Sequence, residues 1–325
     1  MDKLIVISCT TYGSLPRANK FWHSVNANLE PGLNIRKVML DDGTLHLPSL
    51  RERREFCRRF GIHLIEHGNN RGIPAAWNSI MSYSMAEGAW LTCIFNDDLT
   101  FLAPGWLSRM IYFFEKNRDI GMVGLPLVQE SGFKSDDSRW DNPPGRVGAA
   151  VGCAFGVQPE TWALVKQPDG STGFYETLKS FHEEVDLGFE LAKLGKLSYM
   201  LPFPPCWHMG GATFQANPEL VWTSFPTSYD INEFLYYAKS LPWYIEAYEK
   251  EYAQGKVDRM MFSRWLFCRK WGVFNQPRHW EHNGEQVDSW AEPQRKIHED
   301  YVTPHPARQI RWLDKMNQPR ECWDK

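Results

Sequence analysis

The first hundred residues alternate between short apolar runs and amphipathic stretches, and that rhythm predicts the elements. Lys3 to Thr10 (KLIVISCT) is an apolar, β-branched run, the pattern of a strand covered on both faces. After a loop at Thr11 to Ser14, Pro16 can open a helix running to about Asn28. Arg36 to Leu40 is a second strand and runs into Asp41-Asp42-Gly43-Thr44. Pro48 to Phe60 reads as a helix closed by Gly61, and Ile62 to Glu66 as a third strand. The loop Asn69 to Asn78 then opens a helix to about Ala86, and Trp90 to Phe95 is a fourth strand that stops on Asn96-Asp97-Asp98. This βαβαβαβ order predicts right-handed crossovers and a parallel sheet. It places Thr10 to Tyr12, Asp41 to Thr44, Asn70 to Gly72 and Asp97-Asp98 along one edge, where such sheets hold ligands.

Further on, Pro104 to Asn117 reads as a helix, Ile120 to Val128 and Ala149 to Val157 as strands, and Ser131 to Gly148, with Trp140, as a mobile loop able to close over a ligand. Ser180 to Leu194 holds a helix with Glu183, Glu184 and Asp186 at its start, where acidic residues also suit the helix dipole. Lys196 to Phe203 is a late strand, followed by His208 beside Gly210 and Gly211. From about Gln215 the pattern turns helical and aromatic, so two units are expected: an α/β domain over 1–214 and an extension over 215–325. Within the extension, Lys256 to Trp271 reads as one basic amphipathic helix, with Met260, Met261, Trp265 and Phe267 among Arg259, Arg264, Arg269 and Lys270. Packing on the domain over 1–214 or on a partner copy in a homo-oligomer is the expectation for it, ahead of peripheral contact with an anionic membrane.

Composition narrows the setting. The 325 residues are 43% hydrophobic with a net charge of -3, which suits a large globular domain with an attachment and gives no global attraction to nucleic acid. Seven scattered cysteines without a CxxC pair argue for reduced thiols and a cytoplasmic setting. The amino terminus does not read as a signal peptide, and no apolar run is long enough to cross a bilayer.

The candidate chemistry centres on Asp97-Asp98. Two carboxylates at the end of a buried strand suit a hard divalent cation shared with phosphate oxygens, a polar turn being the plain alternative. The loop after the first strand, Cys9 to Gly13, lacks the clustered glycines of a Rossmann or P-loop phosphate site.

The elements Thr10-Thr11-Tyr12, Asp41-Asp42-Gly43-Thr44, Asn70-Arg71-Gly72 through Asn78, Asn96-Asp97-Asp98, Glu183-Glu184-Val185-Asp186-Leu187 and His208-Met209-Gly210-Gly211 stand in order. Over about residues 3 to 214 the chain resembles the inverting glycosyltransferases of family 2. The resemblance implies an α/β protein of the GT-A fold, a mostly parallel sheet with helices on both faces; the mainly helical C-terminal extension beyond about residue 215 matches no family pattern. It implies Mn²⁺ or Mg²⁺ held by Asp98, with His208 as a second ligand or phosphate contact. Thr10, Tyr12 and Asp42 would hold the base and ribose of a UDP-, dTDP- or GDP-sugar. Asn70, Gly72 and Asn78 would join the donor site, and Asp97 would meet ribose or sugar hydroxyls. Glu184 would be the base that takes the proton of an acceptor hydroxyl, on a glycan or glycoconjugate. Three positions depart from the pattern: Asn96 replaces the first Asp, Glu184 the commoner Asp, and Glu190 a common Arg. A non-catalytic sugar- or nucleotide-binding module and a nucleotidyltransferase are the alternatives. A protein or a nucleic-acid base is the alternative acceptor.

Overall fold

The computed structural model describes residues 3–44, 47–128, 145–147, 152–201, 206–209, 221–239, 247–271, 281–282 and 285–286. Trp140, Gly210 and Gly211 lie outside them, and so does most of the expected loop at 131–148.

The amino-terminal half follows the apolar rhythm. Strands β1 (Ile5–Thr11), β2 (Ile35–Asp41), β3 (Ile62–Glu66) and β4 (Leu91–Asn96) alternate with helices α1 (Leu15–Ala27), α2 (Leu47–Phe60) and α3 (Ile73–Ala86). Ser14 caps α1 by accepting from the Arg17 N–H, with Pro16 in the first turn. Next come β5 (Leu99–Phe101), α4 (Trp106–Lys116), β6 (Ile120–Gly124), β7 (Leu127–Val128), β8 (Gly145–Val147), β9 (Ala154–Val157), the short α5 (Pro159–Trp162), α6 (Glu183–Lys193), β10 (Leu197–Met200) and β11 (Cys206–His208).

Eight strands form the main sheet in the order β3-β2-β1-β4-β9-β6-β10-β8. The pairs among β1 to β4 are parallel, β9 runs against both its neighbours, and β8 runs against β10. Strand order reverses between β1 and β4, so their carboxyl ends open a crevice at the switch point. The register sets Thr10 level with Leu40 on one side and Asn96 on the other, which brings the motif loops abreast. This is the GT-A arrangement. The expected strand at 120–128 is in fact two: after β6 the chain leaves the main sheet, and β7 joins β5 and β11 in a three-stranded sheet.

Both faces are covered. Phe21, Trp22, Phe95, Trp106 and Phe113 pack on one, and Trp77, Phe155, Phe174, Leu187 and Leu191 on the other. The later part contains β12 (Trp222–Ser224), α7 (Ile231–Lys239), α8 (Ala247–Tyr252), β13 (Lys256–Asp258) and α9 (Arg259–Lys270). The expected helix over 256–271 therefore begins three residues late. Val257 pairs with Thr223 as a strand, and Asp258 caps the helix by accepting from the Met261 N–H at 2.9 Å. Met261, Phe262, Trp265, Leu266 and Phe267 share a core with Phe234 of α7 and with Tyr175, Leu178 and Phe189. The apolar face that a membrane contact would require is buried inside the chain, Met260 alone of those named being well exposed, at 44%. No helix among the described residues is long and apolar enough to cross a membrane.

Candidate active site

The crevice floor is built from β1 and β4. Asp97 is 4% exposed and fastened twice: Thr11 Oγ1 donates to its Oδ2 at 2.7 Å, and Arg17 Nε of α1 to its Oδ1 at 3.3 Å. Burial still raises its pKa to about 6, against the pull of Arg17 and Thr11. Thr10 Oγ1 is buried without a partner beside them, and the half-buried Tyr12 accepts at its carbonyl from Arg17 Nη2.

Asp98 faces His208. The antiparallel pairing of β5 and β11 sets His208 opposite Leu99, and the Met209 N–H donates to the Asp98 carbonyl at 3.1 Å. The His208 Nε2 lies 3.3 Å from Asp98 Oδ1, yet that buried oxygen accepts no hydrogen bond. An orphaned carboxylate oxygen beside an imidazole nitrogen fits a divalent cation bound by one oxygen and one nitrogen. No group of three or more His, Cys, Asp or Glu side chains gathers among the described residues, so this pair would need phosphate oxygens or water to complete a cation's shell.

The second and third loops are locked together. Asp42 accepts from His67 Nδ1 at 2.8 Å, the Arg71 N–H at 3.0 Å, Asn70 Nδ2 at 3.0 Å and the Gly72 N–H at 2.9 Å. Four donors occupy the carboxylate, so Asp42 organises the loop at 70–72, and the expectation that it also accepts from a base N–H meets a saturated group. Gly43 (φ +87°) and Gly72 (φ +93°) allow the close approach. A Cβ on Gly43 would lie 2.1 Å from the Asn69 carbonyl carbon, and one on Gly72 would lie 2.4 Å from the Lys179 carbonyl oxygen. Gly72 is thus a hinge point of packing, buried beneath the loop. Asn78 departs from its expected place as a donor contact. Its amide donates to the Phe174 carbonyl and Glu176, and its oxygen accepts from Trp162 and the Phe174 N–H, which commits it to tying α3 to the segment before α6. Asp41, next to Asp42, forms a fully buried ion pair with Arg53.

Glu184 opens α6. Its carboxylate accepts from the Gly152 N–H and from N–H groups of its own first turn, yet burial raises its pKa to about 7. A Cβ on Gly152 would sit 2.5 Å from the Glu184 Cδ. Cys153, the next residue, ties this carboxylate to the cation pair. Its Sγ is 3.9 Å from His208 Nδ1, and burial, then the charges of Asp98 and Glu184, push the thiol pKa well up. Glu183 is buried with one oxygen unpartnered, and burial and the Glu184 charge hold its pKa well above the carboxylate range. Before this helix three non-glycine residues, Lys179, Phe181 and His182, adopt positive φ of 63°, 67° and 68°. Strain of that kind persists only where surrounding structure imposes it. Arg17, Arg53, His67, Gly152 and Cys153 carried no signal in the sequence: each is a common residue outside any motif.

Residues 6–154 match the family described as glycosyl transferase family 2. That segment, a little under half of the chain, is similar to the family 2 glycosyltransferases. Among solved structures it is similar to GalNAc-T7 crystallised with UDP, GalNAc and Mn²⁺, at 12% identity and a TM-score of 0.53 over 83% of this chain. The chain spans 57% of that protein's length, and the likeness is one of fold. A mannosyltransferase of Pyrobaculum calidifontis in complex with GDP-Man and Mn²⁺ aligns at 13% identity, with a TM-score of 0.49 over 98% of this chain and 82% of its own. No curated protein matches the chain. The family match ends at residue 154, so Asp97 and Asp98 lie inside it while Glu184 and His208 lie beyond.

Proposed function

We propose that this chain is a metal-dependent, inverting glycosyltransferase that moves a sugar from a nucleoside-diphosphate donor to a hydroxyl of a glycan or glycoconjugate. The observation that carries the reading is Glu184. A half-buried carboxylate poised near pH 7, seated on the Gly152 N–H next to Cys153, whose Sγ is 3.9 Å from His208 of the Asp98–His208 pair, has the properties of a general base beside a leaving group. Thr10, Tyr12 and Asn70 would line the nucleoside end, with Asp42 and Asp97 holding those loops in place. Asp98 and His208 would hold Mn²⁺ or Mg²⁺, the ion found with UDP in the GalNAc-T7 structure being Mn²⁺. When bound, such a cation neutralises the charge that develops on the departing diphosphate. Glu184 takes the acceptor's proton as that oxygen attacks the anomeric carbon opposite the leaving group, which inverts the configuration.

We also read 1–214 as the catalytic unit and 215–325 as an extension packed on it through α9, in a cytoplasmic protein whose buried cysteines Cys9, Cys57, Cys93, Cys153 and Cys206 are free. The test is release of nucleoside diphosphate from a panel of UDP-, dTDP- and GDP-sugars, with Mn²⁺ or Mg²⁺ and with excess chelator. One donor should turn over only with metal, and Asp98→Asn should weaken metal and donor binding together. Turnover of no donor would leave a binding module, and full turnover in chelator would refute the metal requirement.

A further inference from the structure

Arg259 is the first residue of α9 and lies outside the family-matched segment. A cation at a helix start opposes the helix dipole, so its own helix gives no reason for it. Its guanidinium crosses instead to the crevice. Nη1 donates to Asn70 Oδ1 at 3.3 Å, while Nε donates to the Trp222 carbonyl at 3.4 Å and holds the arm against β12. The side chain is half-buried. Burial lowers its pKa, and Asp42 and Tyr12, which flank the nucleoside end, pull the other way. Asp42 cannot pair with it, because His67, Arg71, Asn70 and Gly72 occupy that carboxylate. Among the described residues no carboxylate lies within ion-pair distance of Arg259. A half-buried guanidinium that feels the Asp42 charge but makes no direct ion pair among the described residues, with a fork of donors and two weak internal bonds, is prepared for acceptors that arrive from outside.

Resting on the nucleotide-sugar reading above, we propose that Arg259 is a donor-binding residue whose guanidinium donates to carbonyl oxygens of the nucleobase held between Tyr12, Asp42 and Asn70. The C-terminal segment thereby completes a site that the family-matched segment leaves open on one side. A uracil, thymine or guanine ring offers such a carbonyl, and adenine offers none, so the arginine selects the base as well as binding it.

Isothermal titration of the full chain with UDP, or GDP if that binds more tightly, and with ADP, each with Mn²⁺, tests this on the wild type, Arg259→Ala and Arg259→Lys. Loss of a charge-assisted bond predicts roughly ten- to hundredfold weaker UDP binding by Arg259→Ala, with ADP unchanged and part of the affinity restored by lysine. Donor KM should rise while kcat changes little. UDP binding equal to wild type would overturn the proposal. So would an equal weakening of UDP and ADP that follows a lowered melting temperature, since a structural role does not distinguish bases. A wild type that binds UDP, dTDP, GDP and CDP no better than ADP would overturn the nucleotide-sugar reading itself, and this inference with it.

Discussion

At the residue scale the site turns on one carboxylate and the glycine beneath it. Glu184→Gln keeps shape and removes basicity, so transfer should fall by roughly 10²–10⁴-fold while donor binding is retained, as measured by initial rates and calorimetry. With the Glu184 pKa near 7, the wild-type rate should climb as pH rises through about 7, and that limb should vanish in the variant. Stability runs the other way. The folded state raises the pKa above the ordinary value of 4.5, so it binds more protons than the unfolded chain across that window, and stability falls as pH rises from 4.5 to about 7. Glu184→Gln should therefore melt higher than wild type at pH 8 and gain little at pH 4; an equal shift at both would show that the carboxylate is not held uncharged by burial. Gly152→Ala separates position from chemistry. The added Cβ meets only the far end of a flexible side chain, so the melting temperature should change little while transfer drops as Glu184 is pushed off its N–H donor. Normal transfer by Gly152→Ala would mean that the seat of Glu184 is irrelevant.

At the element scale, the strand–loop–helix units were legible because buried parallel strands carry unbroken apolar runs and the motif glycines mark forced turns. Gly72→Ala tests that reading. At φ +93° its Cβ would drive into the Lys179 carbonyl, where only backbone could yield, so we expect a loss of about 2–3 kcal/mol in chemical denaturation, whereas a change under 1 kcal/mol would show that the loop at 179–182 gives way. Other elements were not legible, for physical reasons. The strands Leu127–Val128, Trp222–Ser224 and Lys256–Asp258 are two or three residues long, too short to display a period. Asn78 and Asp42 stand in the motif order, but spacing cannot tell a ligand contact from a side chain saturated by internal bonds. Arg53 is one of several arginines in α2, and only the fold reveals that it alone is buried against Asp41.

Across the whole molecule, the helix that carries Glu184 is clamped by the far end of the chain. Asp186, fully buried in α6, accepts from Lys270 Nζ at 2.7 and 2.8 Å, Trp271 Nε1 at 2.9 Å and Gln167 Nε2 at 3.0 Å. Lys270 also pairs with Glu190 at 2.9 Å. Asp186 is accordingly unavailable as a substitute base. Lys270→Met would leave the wholly buried Asp186 without its counter-charge, while Glu190 keeps Lys193 at 3.1 Å, at a cost of about 3–5 kcal/mol. Denaturant titration checks this, and a loss below 1 kcal/mol would mean the clamp is idle. The clamp also sets a time order during synthesis. The four parallel strands and their helices make contacts close in sequence and can form as soon as they leave the ribosome, but α6 has no counter-charge for Asp186 until Lys270 has emerged. Nascent chains stalled at residue 255 should therefore resist protease over β1 to β4 while remaining cleavable around 183–193, so that the chain forms the crevice of its parallel strands early in translation and seats Glu184 only near the end.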